Sequence, residues 1–289
     1  MGTVIDAVGS ADGRWRTRHS ALHLAVESAE DCLHHAGRTA REIDLLINAG
    51  IYRDHNLAEP ALAALIQQDV GANPEEPHEN GHGTFSFDVA NGSCGLLTAL
   101  QIADGFLKSR VIRCAMVVTS DADPGHGMSE RFPFAAAGAS LLCTWSDDDR
   151  GLGRTYWQNL LDQGESLSAT VGLVDHRNVL RFHESSSLDQ KFADAASRAV
   201  DRCLYDASLT IDDVDAIVAT PPRPQYRAAL AAQLGVTPER ITIADDERMH
   251  TASLASAFHQ AARAVGAPGL ILIVAAGAGV TAGAALYRL

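Results

Sequence analysis

The chain has 289 residues, of which 46% are hydrophobic and 20% charged, and its formal net charge is −13. This length and composition are typical of a soluble α/β protein with a substantial buried core. The acidic excess leaves no broad basic surface, which argues against a general nucleic-acid-binding protein. The N-terminus lacks the charged and apolar segments of a signal peptide, so we expect a cytoplasmic protein.

The five cysteines are scattered along the chain, odd in number and without CxxC spacing. This pattern indicates reduced thiols and favours neither a disulfide framework nor a zinc site. His82 and His126 each stand between glycines. Neither has a carboxylate or cysteine at metal-ligand spacing, so turn positions are the better interpretation and no bound metal is expected. His126 follows a predicted strand and remains a second candidate for a site histidine.

The first half of the chain contains a pattern that returns later at a constant spacing of 171 residues. The matched pairs include Cys32 with Cys203, Leu33 with Leu204, Ala36 with Ala207, Thr39 with Thr210 and Asp44 with Asp215. Each copy predicts an amphipathic helix, a polar turn and then a buried strand, at 45–47 and at 216–218.

The elements that follow repeat as well. The predicted order is strand 85–89, helix 93–108 and strand 114–120 in the first copy, then strand 241–244, helix 251–265 and strand 270–276 in the second. Both helices carry few charges, which is typical of helices buried between layers. The sequence therefore predicts an α/β fold, a five-layered αβαβα sandwich with two pseudo-symmetric halves, 1–150 and 151–289. A polar, irregular crossover is expected at 146–190.

The uncharged stretch 269–287 is long enough to span a membrane. It begins with a β-rich run and is interrupted by Gly277 and Gly279, so two buried strands joined by a turn are the better prediction. No membrane association is expected.

Several segments resemble the ketoacyl synthase III branch of the thiolase superfamily. They are "FDVANGSCGLLTALQIADGFLKS" (87–109), "CAMVVTSDAD" (114–123), "PERITIADDERMHTASLASA" (238–257) and "AGAGVTAGAALYRL" (276–289). The resemblance implies the five-layered fold, an acyl thioester of coenzyme A or acyl carrier protein as substrate, no permanently bound cofactor, and a homodimer formed by pairing of edge strands. It also implies a Cys–His–Asn catalytic set, with the cysteine at a helix N-terminus that favours its thiolate.

The chain departs from that set at each position. The family's cysteine falls on Ser93, its histidine on Thr220, and its asparagine on or next to His250. Adjacent helical residues point about 100° apart, so Ser93 and Cys94 cannot both face one site. By register Ser93 is the nucleophile and Cys94 packs inward, although Cys94 stays an alternative nucleophile.

A serine hydroxyl needs a base within hydrogen-bonding distance, and His250 is the candidate that the pseudo-symmetry brings close to Ser93. The backbone N–H of Ser93 and one from the loop of Gly277 and Gly279 are candidates for an oxyanion hole. Thr220 is a pocket candidate that takes the position of the family's histidine.

The resemblance also bears on the substrate. Family members hold the adenine end of coenzyme A with a tryptophan and an arginine in a long insertion after the first strand. Here the insertion is short, and Trp15, Arg16 and Arg18 are either a remnant of that clamp or surface residues. A reduced clamp favours an acyl group delivered on the phosphopantetheine arm of a carrier protein.

Two classes of function remain open at this stage. The first is an acyltransferase that forms an acyl-Ser93 intermediate in specialised metabolism related to polyketide or fatty-acid synthesis. The alternative is a non-catalytic structural subunit that forms a heterodimer with an active ketosynthase. In that case Ser93 is a helix-capping residue and the tunnel is blocked.

Overall fold

The structure is a computed structural model that describes residues 1–15, 17–73, 83–125, 127–161, 166–277 and 279–289. The candidate residues Arg16, His82 and His126 lie outside the described residues. None of the helices in these ranges is long and apolar enough to cross a membrane.

The first half alternates strands and helices. Its elements are β1 (Gly2–Asp12), α1 (Ala21–Ala36), β2 (Leu45–Asn48), α2 (Leu62–Val70), β3 (Phe85–Asp88), α3 (Gly95–Lys108), β4 (Cys114–Asp121) and β5 (Ala137–Ser146). The strands lie in the order β3-β2-β4-β5-β1. Strand β2 runs parallel to both of its neighbours, whereas β5 is antiparallel to β4 and to β1.

The crossover is more regular than the sequence predicts. It contains β6 (Gly151–Leu152), β7 (Tyr156–Asn159), β8 (Leu167–Val174) and β9 (Arg177–Glu184). Strands β8 and β9 form an antiparallel hairpin that makes a separate two-stranded sheet. The expectation of an irregular segment over 146–190 was therefore wrong, because its strands pair with one another or with the distant strands β1 and β13.

The second half repeats the strand order of the first. Its elements are α4 (Leu188–Ala207), β10 (Ala216–Thr220), α5 (Pro224–Leu234), β11 (Ile241–Thr242), α6 (Ser253–Val265), β12 (Leu270–Gly277) and β13 (Thr281–Arg288). The order is β11-β10-β12-β13-β7, in which β10 runs parallel to both of its neighbours and β13 runs antiparallel to both of its own. Strand β6 pairs with both β1 and β13 and joins the two sheet segments. A division of domains at residue 150 stays a prediction.

The repeat is visible in individual hydrogen bonds. The Asp44 carboxylate accepts the N–H of Cys114 at 3.1 Å, where β4 begins. The Asp215 carboxylate accepts the N–H of Leu270 at 2.8 Å, where β12 begins. Each aspartate therefore ties the start of one parallel strand to the start of its neighbour.

Three apolar clusters separate the layers. The central cluster surrounds α3 and α6 between the two sheet segments and includes the buried side chains of Leu97 and Leu254. A second cluster lies between the first sheet segment and α1 with α2, and includes Leu24. The third lies between the other segment and α4 with α5, and includes Val200. The predicted αβαβα sandwich is confirmed.

Candidate active site

Ser93 lies where the two halves meet. It belongs to a short 3₁₀ turn, Gly92–Cys94, that leads directly into α3. The side chain is 6% exposed, and its hydroxyl donates a hydrogen bond of 2.5 Å to the carbonyl oxygen of Ala276 on β12. Because the partner is a carbonyl of the opposite half, this contact differs from the capping role considered as an alternative, in which the side chain accepts from a helix N–H.

Cys94 points into the central core. It has no exposed surface, and its thiol lies 3.5 Å from the carbonyl oxygen of Thr281. Burial raises the pKa of this thiol to about 12. A cysteine reacts as its thiolate, so this position suits a small packing residue and disfavours the alternative in which Cys94 is the nucleophile.

The burial of the thiols leads to a first prediction. All five cysteines are buried, and burial raises the pKa of each thiol above its ordinary value. We expect no alkylation by iodoacetamide in the native protein at pH 8, and five modifications after unfolding in urea, as counted by intact-protein mass. A native thiol that reacts within minutes and is lost in Cys94→Ala would restore Cys94 as a candidate nucleophile.

A cavity of about 230 Å³ opens beside Ser93. His250 lines the same cavity, so the two residues predicted to act together face one space. Aromatic side chains form much of its wall, among them Tyr52 and Phe134. The β8–β9 hairpin closes one side with Phe182 and other residues of its inner face.

His250 is held from two directions. Its Nδ1 atom lies 3.3 Å from Oδ2 of Asp121, the last residue of β4. Its ring stacks on Phe134 with a centroid separation of 4.3 Å and lies 5.2 Å from the ring of Tyr52. The side chain is 12% exposed and that of Asp121 only 2%. The ring therefore has a fixed position at the cavity wall.

Asp121 was not identified from the sequence. Burial opposes ionisation of its carboxyl group, yet the nearby His250 and the surrounding donors, including Thr251 and the N–H of Tyr52, bring its pKa below the ordinary value. The available signal was an acidic residue that ends a fully buried strand. Buried carboxylates are rare unless they are paired, so such a position indicates a partner elsewhere in the chain.

The predicted glycines lie at different distances from the site. A Cβ atom built on Gly277 would be 3.1 Å from both Ser93 Oγ and Cys94 Sγ, so this backbone closes directly against the 3₁₀ turn. Gly279 has a φ of 73° in the exposed turn between β12 and β13. Neither is among the described residues that line the cavity. Their role in an oxyanion hole stays a prediction.

Thr220 also lies behind the cavity wall. It is fully buried, and its hydroxyl is 2.5 Å from that of Ser253, which in turn donates to the carbonyl oxygen of His250. Pro221 and Pro222 line the cavity in its place. Thr220 therefore supports the segment that carries His250, and its place in the pocket stays a prediction.

Neither described residue of the candidate coenzyme A clamp, Trp15 or Arg18, lines the Ser93 cavity. Trp15 is 78% exposed. Arg18 lines a neighbouring cavity of about 620 Å³ together with His19. The two cavities share wall residues, including Phe134 and Arg248. Among the residues that the structure describes, no group of three or more His, Cys, Asp or Glu side chains is placed to hold a metal ion.

This architecture matches known structures over its whole length. The 3-oxoacyl-[acyl-carrier-protein] synthase III from Aquifex aeolicus VF5 superimposes with a TM-score of 0.81 at 21% identity, covering 100% of both chains. OleA from Xanthomonas campestris, solved with bound lauric acid and lauroyl-CoA, gives a TM-score of 0.83 at 15% identity and covers 100% of this chain and 99% of its own. The fold is thus thiolase-like.

Sequence comparison identifies which thiolase-like proteins the chain is similar to in sequence. Residues 204–289 match the family model described as 3-oxoacyl-[acyl-carrier-protein (ACP)] synthase III C terminal. The beta-ketoacyl-[acyl-carrier-protein] synthase III of Erythrobacter litoralis is 28% identical over 287 residues, which is 92% of this chain and 83% of that protein. The protein of the same name from Rhodospirillum rubrum is 28% identical over 294 residues, with the same two coverages. Over 92% of its length the chain is thus similar to ketoacyl synthase III proteins, as its motifs predict.

Proposed function

We propose that this protein transfers an acyl group from a thioester to an acceptor through an ester on Ser93, with His250 as the general base. One observation carries the proposal: Ser93 and His250 line the same largely apolar cavity. The names of the relatives contain acyl carrier protein, and a structural neighbour was solved with lauroyl-CoA bound, which supports an acyl thioester as donor.

The chemistry begins with a change at the serine. Its hydroxyl donates to Ala276 in the structure, so Oγ has to turn from that carbonyl toward His250 when a thioester enters. Oγ then attacks the carbonyl carbon while His250 takes its proton. The carbon–sulfur bond breaks, the thiol leaves with that proton, and the acyl group remains on Ser93. A hydroxyl, amine or thiol acceptor reverses these steps and regenerates the serine.

Carbon–carbon condensation is the less suitable reaction here. The resemblance places the family's cysteine on Ser93 and its histidine on Thr220, and the Thr220 hydroxyl is buried and bonded to Ser253. Among the residues that the structure describes, His250 is the one histidine that lines the cavity, where an enolate needs two donors. We place the protein in specialised polyketide- or fatty-acid-like metabolism for this reason.

The donor and the assembly are part of the proposal. The described residues of the clamp, Trp15 and Arg18, do not line the Ser93 cavity, which favours a carrier-protein arm over free coenzyme A.

Strand β3 is the edge of its sheet segment and its Phe85 is 58% exposed, which favours a homodimer through that edge.

The test is intact-protein mass after mixing with a panel of acyl-coenzyme A and acyl-carrier-protein thioesters. We expect wild type to gain the mass of one acyl group, Ser93→Ala to gain none, and Cys94→Ala to behave as wild type. The last variant is the matched control because it removes the neighbouring nucleophile. A gain lost only in Cys94→Ala would refute acyl-Ser93. No gain in the folded wild type with any donor would favour the non-catalytic partner subunit.

A further inference from the structure

We propose that Asp121 is a positioning residue that holds His250 as the tautomer with its proton on Nδ1, leaving Nε2 as the base at the cavity. This inference rests on the proposed function for the role of the base, whereas the tautomer itself can be measured without any reaction. The motifs of the chain assign no role to Asp121.

The carboxylate is held by donors from two loops. Its Oδ1 accepts the backbone N–H groups of Ile51 at 3.2 Å and Tyr52 at 2.9 Å. Its Oδ2 accepts the N–H of Thr251 at 2.9 Å and the Thr251 hydroxyl at 2.5 Å. An ionised carboxylate only accepts hydrogen bonds, so these four donors are all compatible with the charged form of Asp121.

Because the carboxylate can only accept hydrogen bonds, it also determines which ring nitrogen of His250 carries the proton. Nδ1 of His250 lies 3.3 Å from Oδ2 of Asp121, and a carboxylate that only accepts requires a donor at that atom. In a neutral imidazole one nitrogen carries the proton and the other a lone pair, so an N–H at Nδ1 leaves Nε2 able to accept a proton. The opposite tautomer would place two acceptors 3.3 Å apart in a buried site, which is unfavourable.

Packing against aromatic side chains keeps the His250 ring beside the Asp121 carboxylate. Phe134 stacks on one face at 4.3 Å and Tyr52 lies within 5.2 Å. The backbone on both sides of the pair is also tied to Asp121, because Tyr52 and Thr251 donate to the same carboxylate. Asp121 therefore fixes the ring and the walls of the cavity together, across 129 positions of sequence from His250.

The experiment is a two-dimensional long-range ¹H–¹⁵N spectrum of protein labelled at histidine, recorded at pH 8, where an ordinary histidine with a pKa of about 6.5 is neutral. The His250 signals are assigned by their loss in His250→Asn. We expect wild type to show the Nδ1–H tautomer, and Asp121→Asn to shift His250 toward Nε2–H. Thr251→Val is the control, since it removes one donor to the carboxylate but keeps the pair, and it should leave the tautomer unchanged.

Two outcomes overturn the proposal. One is a wild-type His250 that carries its proton on Nε2, which decides the matter even if Asp121→Asn does not fold. The other is an unchanged Nδ1–H tautomer in a folded Asp121→Asn. A wild-type Nδ1–H signal in a protein that no thioester acylates would leave the positioning intact and refute the proposed function alone. Where acylation does occur, Asp121→Asn should slow it by about 100-fold or more.

Discussion

Replacement of His250 by asparagine should slow the acylation of Ser93 by about 10²- to 10⁴-fold, the range that a general base contributes. An amide cannot take the proton of the serine hydroxyl, so Oγ would have to attack as a neutral alcohol. The fold should persist, because the asparagine side chain still carries an N–H that can donate to the Asp121 carboxylate in place of Nδ1. The change therefore removes the base and keeps its contact.

The measurement is the rate at which the acyl mass appears, followed by rapid quenching and intact-protein mass. His259→Asn is the matched control, since His259 lies on α6, is exposed, and does not line the Ser93 cavity. We expect it to acylate at the wild-type rate. If His250→Asn also acylates at that rate, the base must be sought elsewhere, and the Ser93 intermediate would stand without its histidine.

The largest expected effect on stability is that of Gly9→Ala. A Cβ at Gly9 would lie 2.2 Å from the carbonyl oxygen of Ser28 and 2.4 Å from the backbone nitrogen of Cys32. Both atoms belong to α1, whose backbone packs directly on β1. The backbone of a helix cannot move away at one residue alone, so α1 as a whole would have to shift away from β1. We expect the free energy of unfolding to fall by about 3 kcal/mol or more.

Gly105→Ala provides the comparison in the same protein. Gly105 lies within α3, and apart from the helix's own backbone and the two adjacent residues no atom lies within 4 Å of the position that a Cβ would take. Here alanine should raise the free energy of unfolding by about 0.5–1 kcal/mol, because glycine loses more backbone entropy in a helix. Urea unfolding monitored by circular dichroism compares both variants with wild type. An unchanged midpoint for Gly9→Ala would show that α1 is not packed as closely as the structure has it.

The layered fold was open to prediction because its causes are local and occur twice. A short, nearly continuous apolar run such as that of Leu45–Asn48 forms a strand that is buried on both faces. Such a run can be recognised in the sequence without knowing which strands lie beside it. The spacing between Asp44 and Asp215 marks the same strand connection in each half. Those features led to the prediction of five layers. They carried no information on the hairpin of β8 and β9, whose strands pair with each other and contribute to the cavity wall.

The sequence by itself determined which residues are available for chemistry: Ser93 and Thr220, where the resemblance places the family's cysteine and histidine, and His250 just before α6. Only the tertiary structure decided how they are used. It pairs Ser93 with a carbonyl 183 positions away and His250 with a carboxylate 129 positions away. Such contacts leave no periodic trace, because a hydrogen bond depends on distance and direction in space, and both are set by the packing of the two halves.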